Sequence, residues 1–341
     1  FPLVTVQLPV FNEKYVAERL VDCICSLHYP NLEIQVLDDS TDETTEILER
    51  AIHRWQEKGV DIALIRRPDR KGFKAGALQF GLNKAKGEFI AIFDADFLPS
   101  PDFLLKTIPQ FEENVGVVQA RWGHLNRNFS ILTKLQAFGL DAHFTVEQSG
   151  RSAAGSFINF NGTAGVWRKS CIIDSGGWSD DTLTEDLDLS YRAQLKGWKF
   201  RYMEQTEVPA ELPVIMPAIK SQQFRWNKGA AETARKNLIK VLRSRIGFSS
   251  KVHAFFHLLN SAVFVALLVA AILSVPVLYI KQGHPEWQPL FYVGGVFFIG
   301  FLSIAWFYWT SIKAIDHEAP TKRFFAYFPL FLVVSMGLSL H

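Results

Sequence analysis

The sequence has few cysteines and no large excess of either charge. Only three of its 341 residues are cysteine, namely Cys23, Cys25 and Cys171, which suits a reduced compartment better than a disulfide-stapled secreted domain. Cys23 and Cys25 lie two apart with no second cysteine pair or histidine cluster beside them, so no zinc site is expected. The formal net charge is +2, so no global positive field predicts binding to nucleic acid.

Charged residues are absent from three stretches near the carboxyl end, which are 254–280, 287–312 and 324–341. A membrane-spanning helix needs about 20 apolar residues. The first two stretches reach that length, and the third, with 18 residues, is borderline. Buried helices of a soluble domain are the alternative, but such uninterrupted runs are rare there. We therefore expect an integral membrane protein with about three transmembrane helices within residues 253–341.

Lysine and arginine indicate how these stretches are oriented. Basic residues cluster just before the first stretch and after the second, whereas the loop between them holds one lysine, Lys281. Positively charged loops face the cytosol, so the preceding residues are expected to be cytosolic. The membrane would be a plasma or inner membrane, or a Golgi membrane in a eukaryote. The chain begins with Phe1 rather than methionine, and we expect a fragment of a longer protein with further terminal helices.

Strand and helix patterns alternate over the first hundred residues, with strands expected at 3–10, 33–37, 62–65 and 88–93. Such alternation predicts a parallel sheet with helices on both faces and ligands bound beyond the carboxyl ends of the strands. We assign this domain to residues 1–213. Residues 214–252 follow as basic, amphipathic helices at the membrane interface, with a solvated helix packed on the domain as the alternative.

Asp94-Ala95-Asp96 follows a strand of almost continuous apolar residues, 89–93. Carboxylates at a strand end can hold a divalent cation, Mg²⁺ or Mn²⁺, whose remaining ligands come from a nucleoside diphosphate. One carboxylate would face the metal and the other the ribose or sugar. A solvated loop is the alternative, since Asp-x-Asp is common by chance.

Three further features lie on the same rim of the expected sheet. Asp39 closes the second strand and can accept hydrogen bonds from a nucleobase or ribose, although helix capping is the alternative for the pair Asp38-Asp39. Asn12 and Glu13 end the first strand and would frame the base. Lys74 stands at a helix start that suits a diphosphate, or it belongs to a surface charge run. No P-loop pattern is present.

Thr184-Glu185-Asp186 is the predicted catalytic centre. Passing a sugar from a nucleotide to an acceptor requires a base that takes the proton of the attacking hydroxyl. Asp186 is the candidate base, with Glu185 and Asp188 raising its proton affinity by like-charge repulsion. Helix capping is the alternative. Direct attack by the acceptor inverts the anomeric carbon, so an α-linked donor gives a β-linked product.

Two segments are candidates for the region that closes over donor and acceptor. Helical spacing places Gln222, Arg225 and Trp226 together, where Arg225 would neutralise the leaving diphosphate and Trp226 would stack on a sugar. An interfacial Arg-Trp anchor is the alternative. A polar glycine turn within an apolar run is the second candidate for acceptor contact, and its residues are Phe160, Asn161, Gly162 and Thr163.

In this order the motifs resemble those of the processive, inverting family-two glycosyltransferases, the cellulose-synthase-like enzymes. Longer segments are similar to plant mannan- and xyloglucan-backbone synthases and their bacterial relatives, at 36–42, 91–97, 118–122, 143–148 and 160–167. The resemblance covers nearly the whole chain. It implies a Rossmann-like GT-A fold, UDP-glucose or GDP-mannose as donor, a β-glucan or β-mannan product, and a polysaccharide acceptor.

The resemblance also implies roles for individual residues. Asp39, Asp94 and Asp96 would bind nucleotide and metal, and Asp186 would be the base. Gln222, Arg225 and Trp226 would shape the gate over donor and acceptor.

Two other functions stay open on the sequence alone. One is a non-processive transferase that adds a single sugar to a lipid. The other is a non-catalytic membrane protein that binds nucleotide sugars.

Overall fold

The computed structural model describes residues 1–293 and 295–338. Within them, seven strands form one sheet. The strands are β1 Val4–Val10, β2 Leu32–Asp38, β3 Ile62–Ile65, β4 Phe89–Ile92, β5 Val115–His124, β6 Gly165–Arg168 and β7 Lys199–Ala210. Their order across the sheet is β3-β2-β1-β4-β6-β5-β7, so the chain turns outward from β1 in one direction and from β4 in the other.

Helices connect and cover these strands. Those of the sheet domain are α1 Ala17–Cys25, α2 Thr44–Gln56, α3 Phe73–Leu82, α4 Phe103–Thr107, α5 Ile131–Ala142, α6 Ser149–Ala153, α7 Lys169–Asp174 and α8 Glu185–Leu195. A π-helix, His143–Gln148, joins α5 to α6. The later helices are α9 Met216–Arg243, α10 Phe248–Leu258, α11 Ala262–Gly283, α12 Gln288–Val293, α13 Val296–Ile315 and α14 Pro320–Leu338.

The sheet is parallel in its first half and mixed in its second. Strands β3, β2, β1 and β4 are parallel, as the sequence predicts. The alternation that predicts parallel strands ends with β4, and beyond it β6 runs antiparallel to both of its neighbours. Strand β6 therefore starts at the rim where β4 ends, with Gly165 opposite Ile92. This reversal brings the turn at residues 160–164 directly to the Asp94 rim.

Apolar side chains fill both faces of the sheet. Helices α1, α2 and α4 cover one face with side chains such as Leu20, Leu48 and Phe103. Helices α3, α7 and α8 cover the other with side chains that include Leu78 and Leu189. Burial of each large apolar side chain stabilises the domain by about 2 kcal/mol. The first turns of α3 and α8 are thereby held at the same rim as Asp94.

Helix α9 has 28 residues and packs one face against α8. Two later helices are long and apolar enough to cross a membrane on length and composition, within the described residues: Ala262–Gly283 and Phe298–Ile315. The third expected stretch forms α14, which contains Pro329 and packs on α5 and α13 through Phe138, Ile312 and Phe328. Residues 339–341 of that stretch lie outside the described residues.

Candidate active site

Lys74 joins the strand rim to the loop before β6. Its Nζ atom lies 2.5 Å from Asp94 Oδ1 and donates to the Gly162 carbonyl at 3.0 Å. The backbone N–H of Asp94 donates to the Thr163 hydroxyl at 2.9 Å. Gly72, with φ of +72°, precedes α3 and places Lys74 in its first turn. Burial lowers the pKa of Lys74, but Asp94, Glu185 and Asp186 more than offset this and raise it, so the lysine stays charged.

Asp96 is a carboxyl group whose ionised form the surrounding protein disfavours. Burial, followed by repulsion from Asp94 and Glu13, raises the pKa of Asp96 to about 7, and Lys74 opposes this shift only weakly. A bound cation would reverse it, since it favours the ionised carboxylate. Asp94, Asp96 and Glu13 thus form an electronegative rim beside a single lysine.

Glu185 and Asp186 form the first turn of α8, next to the same lysine. Burial, followed by repulsion from Glu185, raises the pKa of Asp186, and Asp94 adds to the effect. Asp186 Oδ1 accepts the Leu187 N–H at 2.8 Å. Oδ2 lies 3.1 Å from where a Cβ on Gly162 would stand. The structure therefore brings Asp94, Lys74 and Asp186 around Gly162, although the chain separates them widely.

Asp188 does not raise the proton affinity of Asp186 as expected. Its side chain is fully buried and neutralised by Arg192 at 2.7 Å and Lys236 at 3.0 Å. The neighbours that disfavour ionisation of Asp186 are Glu185 and Asp94.

The residues predicted to contact the base are engaged within the protein. Arg67 donates to both oxygens of Asp39, at 2.8 and 2.5 Å. Asn12 has φ of +57° and accepts the Thr41 N–H at 2.9 Å, which ties the ends of β1 and β2 together. Asp38 is buried and caps the β2–α2 turn by accepting the Ser40 N–H. Sequence reasoning missed Arg67, for which an arginine just after β3 was the available signal.

The first turns of α9 lie beside the catalytic candidates. Arg225 is exposed and close enough to Glu185 to favour its ionised form. Trp226 lies 6.4 Å from Trp122 between ring centroids, at an interplanar angle of 52°. Trp122 also packs on Phe97 and Phe144, and it was not singled out from the sequence. Gln222 lies one turn before Trp226 and is half-buried.

The turn before β6 supports the rim rather than presenting its large side chain. Phe160 is fully buried against Trp167, with ring centroids 5.4 Å apart, so its predicted acceptor contact is not available to that side chain. Thr163 is also buried and binds the Asp94 backbone. Asn161 is half-buried and accepts from Asn159 at 2.8 Å. Of the four residues predicted for acceptor contact, only Asn161 and the Gly162 backbone are therefore placed so that they would reach an acceptor.

We expect Gly162→Ala to reduce transfer by about tenfold or more, because φ of +79° strains an L-residue and its Cβ would press on Asp186. The strain should also lower stability by about 1–2 kcal/mol. Activity and thermal unfolding measure the two effects. Gly150→Ala, where no atom lies within 4 Å of the added Cβ, is the control, and equal behaviour of the two variants would contradict the assigned geometry.

The rim fits a divalent cation whose coordination a bound substrate would complete. Among the described residues, no group of three or more His, Cys, Asp or Glu side chains forms a ready-made metal site. The donors here are carboxylates, and burial, followed by repulsion from Asp94, raises the pKa of Asp96. Mg²⁺ and similar ions are commonly held by one or two carboxylates together with substrate phosphates. Asp94 and Asp96 meet that requirement.

The fold and the rim define a glycosyltransferase domain of the GT-A type. A solved structure with this architecture is a mannosyltransferase from Pyrobaculum calidifontis in complex with GDP-Man and Mn²⁺. It has a TM-score of 0.60 and 22% identity, and the match covers 84% of this chain and 83% of that one. At this identity the likeness concerns the fold alone.

The chain belongs to glycosyl transferase family 2. The model of that family matches residues 5–172, and the model of glycosyl transferase family group 2 matches residues 89–338. Glucomannan 4-beta-mannosyltransferase 1 of Oryza sativa is 42% identical over 306 residues, which is 84% of this chain and 58% of that protein. Glucomannan 4-beta-mannosyltransferase 2 of Arabidopsis thaliana is 44% identical over 265 residues, 75% of this chain and 50% of that protein. The matched part of the chain thus spans 58% and 50% of the lengths of these two relatives.

Proposed function

We propose that this protein is a metal-dependent, inverting β-mannosyltransferase that passes mannose from GDP-mannose to a growing β-linked mannan or glucomannan. The observation that carries the proposal is the convergence of Asp94, Lys74 and Asp186 around Gly162. At that point the side chains proposed for the diphosphate, the metal and the acceptor proton lie next to one another. The similarity to the glucomannan mannosyltransferases of rice and Arabidopsis supports mannose as the sugar. UDP-glucose is the alternative donor.

The donor would lie across the strand rim. Mg²⁺ or Mn²⁺, held by Asp96 and Asp94, would supply positive charge to the diphosphate. Lys74 and Arg225 add positive charge where the leaving GDP becomes more negative. Asp39, Asn12 and Glu13 would surround the nucleoside, with Asp39 fixed by Arg67.

Asp186 would accept the proton of the acceptor hydroxyl as its oxygen attacks the anomeric carbon of mannose. The bond from that carbon to the GDP oxygen breaks as the new glycosidic bond forms, so the α-linked donor yields a β-linked product. Burial, followed by like-charge repulsion from Glu185 and Asp94, raises the pKa of Asp186, which makes the ionised carboxylate a stronger base.

The acceptor would approach past α9. Trp226 and Trp122 form an aromatic corner beside the first turn of α8, and aromatic faces bind the apolar faces of sugars. Helices α9 and α10 would lie at the membrane surface, with α11 and α13 as spans. In this proposal the catalytic domain, residues 1–213, would lie on the cytosolic side of the bilayer, and the nascent chain would lie close to the spans.

We expect Trp226→Ala to reduce chain elongation about tenfold, because one stacking contact contributes about 1 kcal/mol or slightly more. Hydrolysis of the donor by water does not need that contact and should change little. Product length and released GDP, measured together, separate the two. Trp226→Phe keeps an aromatic face and should retain most of the elongation. An equal loss of elongation and hydrolysis in Trp226→Ala would contradict acceptor stacking.

A donor screen tests the proposal as a whole. The membrane-embedded protein is given GDP-mannose, UDP-glucose or another nucleotide sugar with Mn²⁺ or Mg²⁺, and released nucleoside diphosphate is measured with product size. Polymer from GDP-mannose is the expected result. A single sugar on a lipid would indicate the non-processive alternative. Nucleotide binding without turnover of any donor would overturn the proposed activity.

A further inference from the structure

One face of α9 carries a polar strip that continues from the residues next to the site. After Gln222, Arg225 and Trp226, the same spacing of three and four residues recurs along the helix. The strip consists of Gly229, Glu232, Thr233, Lys236 and Asn237. Each of these residues contacts the segment at 181–188, which includes the two catalytic candidates.

The first three residues of the strip, Gly229, Glu232 and Thr233, contact the residues that precede α8. Gly229 lies against Thr184, where an added Cβ would stand 2.5 Å from the threonine methyl group and 2.8 Å from its backbone nitrogen. Glu232 accepts the Leu183 N–H at 2.9 Å. The hydroxyl groups of Thr184 and Thr233 lie 3.2 Å apart. The backbone that leads into Glu185 is therefore held by α9 side chains.

The last two residues of the strip, Lys236 and Asn237, bind a buried carboxylate. Asp188 has no solvent exposure and accepts from Asn237 at 2.8 Å, Lys236 at 3.0 Å and Arg192 at 2.7 Å. Lys236 also pairs with Asp181 at 2.8 Å. Breaking such a pair leaves an uncompensated buried charge, which is strongly unfavourable. A shift of α9 by one turn along α8 would have that consequence.

Apolar packing between the two helices does not impose the same register. Leu187 and Tyr191 of α8 pack with Ala234 and Val241 of α9, and such contacts tolerate small displacements more readily than directional hydrogen bonds. The hydrogen bonds of the polar strip, in contrast, can form at only one axial offset between α8 and α9. Buried polar groups that fix register are an established use of such pairs.

We propose that Lys236 and Asn237 are positioning residues that act through Asp188. They hold the first turn of α8 at one offset from α9, so that Asp186 meets a hydroxyl of the acceptor sugar on which Trp226 stacks. Both residues belong to the second half of α9, beyond Gln222, Arg225 and Trp226. This inference rests on the proposed transferase function.

The test compares transfer with hydrolysis in Asn237→Ala and Lys236→Ala. Transfer of mannose should fall about 100-fold, the cost of misplacing reacting groups by about 1 Å. Mn²⁺-dependent affinity for GDP and hydrolysis of GDP-mannose by water should change by less than about threefold, because the donor rim is untouched. Arg235→Ala removes a neighbouring charge on the exposed face of α9 and should transfer mannose like the wild type.

An exchange of partners separates positioning from simple loss of structure. Asp188→Asn and Asn237→Asp should each lower transfer about 100-fold. The double variant restores one amide and one carboxylate between the helices, still next to Lys236, and should recover to within about tenfold of wild type. Thr233→Val, which removes one hydroxyl and retains the shape, gives a milder change if a charge variant does not fold, and it should lower the ratio of transfer to hydrolysis.

The outcomes distinguish the two proposals. If the wild type transfers mannose while the folded single variants keep its ratio of transfer to hydrolysis, the positioning role is overturned and the function stands. A double variant that is no better than the singles also counts against the role. If the wild type binds GDP but transfers no mannose, the proposed function fails and this inference falls with it.

Discussion

Asp186→Asn is expected to lower mannose transfer by about 1,000-fold, within the range that general bases contribute. The amide has the same shape but cannot accept the proton of the acceptor hydroxyl. Its neighbours Lys74 and Gly162 should keep their places, so affinity for GDP with Mn²⁺ should stay within about twofold. Single-turnover transfer and equilibrium binding of GDP measure the two quantities separately.

Stability provides a control for this variant. The raised pKa of Asp186 means that the folded protein holds this proton more tightly than the unfolded chain does. Without metal or nucleotide, wild-type stability should therefore fall as pH rises from the ordinary aspartate value to the folded pKa. Asp186→Asn lacks that loss and should be at least as stable as wild type at pH 8. Asp61→Asn, an exposed change away from the rim, should leave transfer unaltered. Wild-type turnover in Asp186→Asn would exclude the residue as the base.

Asp96→Ala is expected to weaken the Mn²⁺-dependent binding of GDP by about 100-fold, equivalent to about 2.7 kcal/mol. The change removes a carboxylate whose pKa is raised by burial and by repulsion from Asp94, and whose ionised form a bound cation would stabilise. Binding of GDP without metal depends on Lys74 and the nucleoside contacts, and it should be unchanged or slightly stronger because one negative charge is gone.

Calorimetry with GDP, in the presence of Mn²⁺ or a chelator, makes this comparison without turnover. The informative quantity is the ratio of the two affinities, because a folding defect would lower both. Asp61→Asn again serves as the matched loss of one carboxylate. Equal metal dependence in Asp96→Ala and wild type would remove Asp96 from the metal site.

Local patterns were sufficient to predict the sheet rim. The strand at Ile62–Ile65 was predicted to the residue, and the apolar run before Asp94 forms strand β4 as expected. These predictions rest on the spacing of apolar side chains within a few residues. That spacing matches the geometry of a strand or a helix directly. The order of the acidic motifs also gave the resemblance to family-two glycosyltransferases, which the family models confirm.

Contacts between distant segments could not be predicted in the same way. Asp188 binds Lys236 and Asn237, which lie 48 and 49 residues away in the sequence. Asp39 binds Arg67, which lies 28 residues away. The local sequence shows one partner of Asp188, which is Arg192 four residues further along α8, but it does not show the two partners on α9. The antiparallel β6 likewise follows from the return of the chain across the sheet. That return turns Phe160 into the core and leaves Gly162 beside Lys74.

The measurement that tests the central claim most directly is the anomeric configuration of the product. The membrane-embedded protein is supplied with GDP-mannose and Mn²⁺, and the new linkage is followed by NMR while released GDP is counted. The account predicts one GDP for each β-linked mannose formed, with both lost in Asp186→Asn. An α-linked product, or GDP release without any new glycosidic bond, would contradict it.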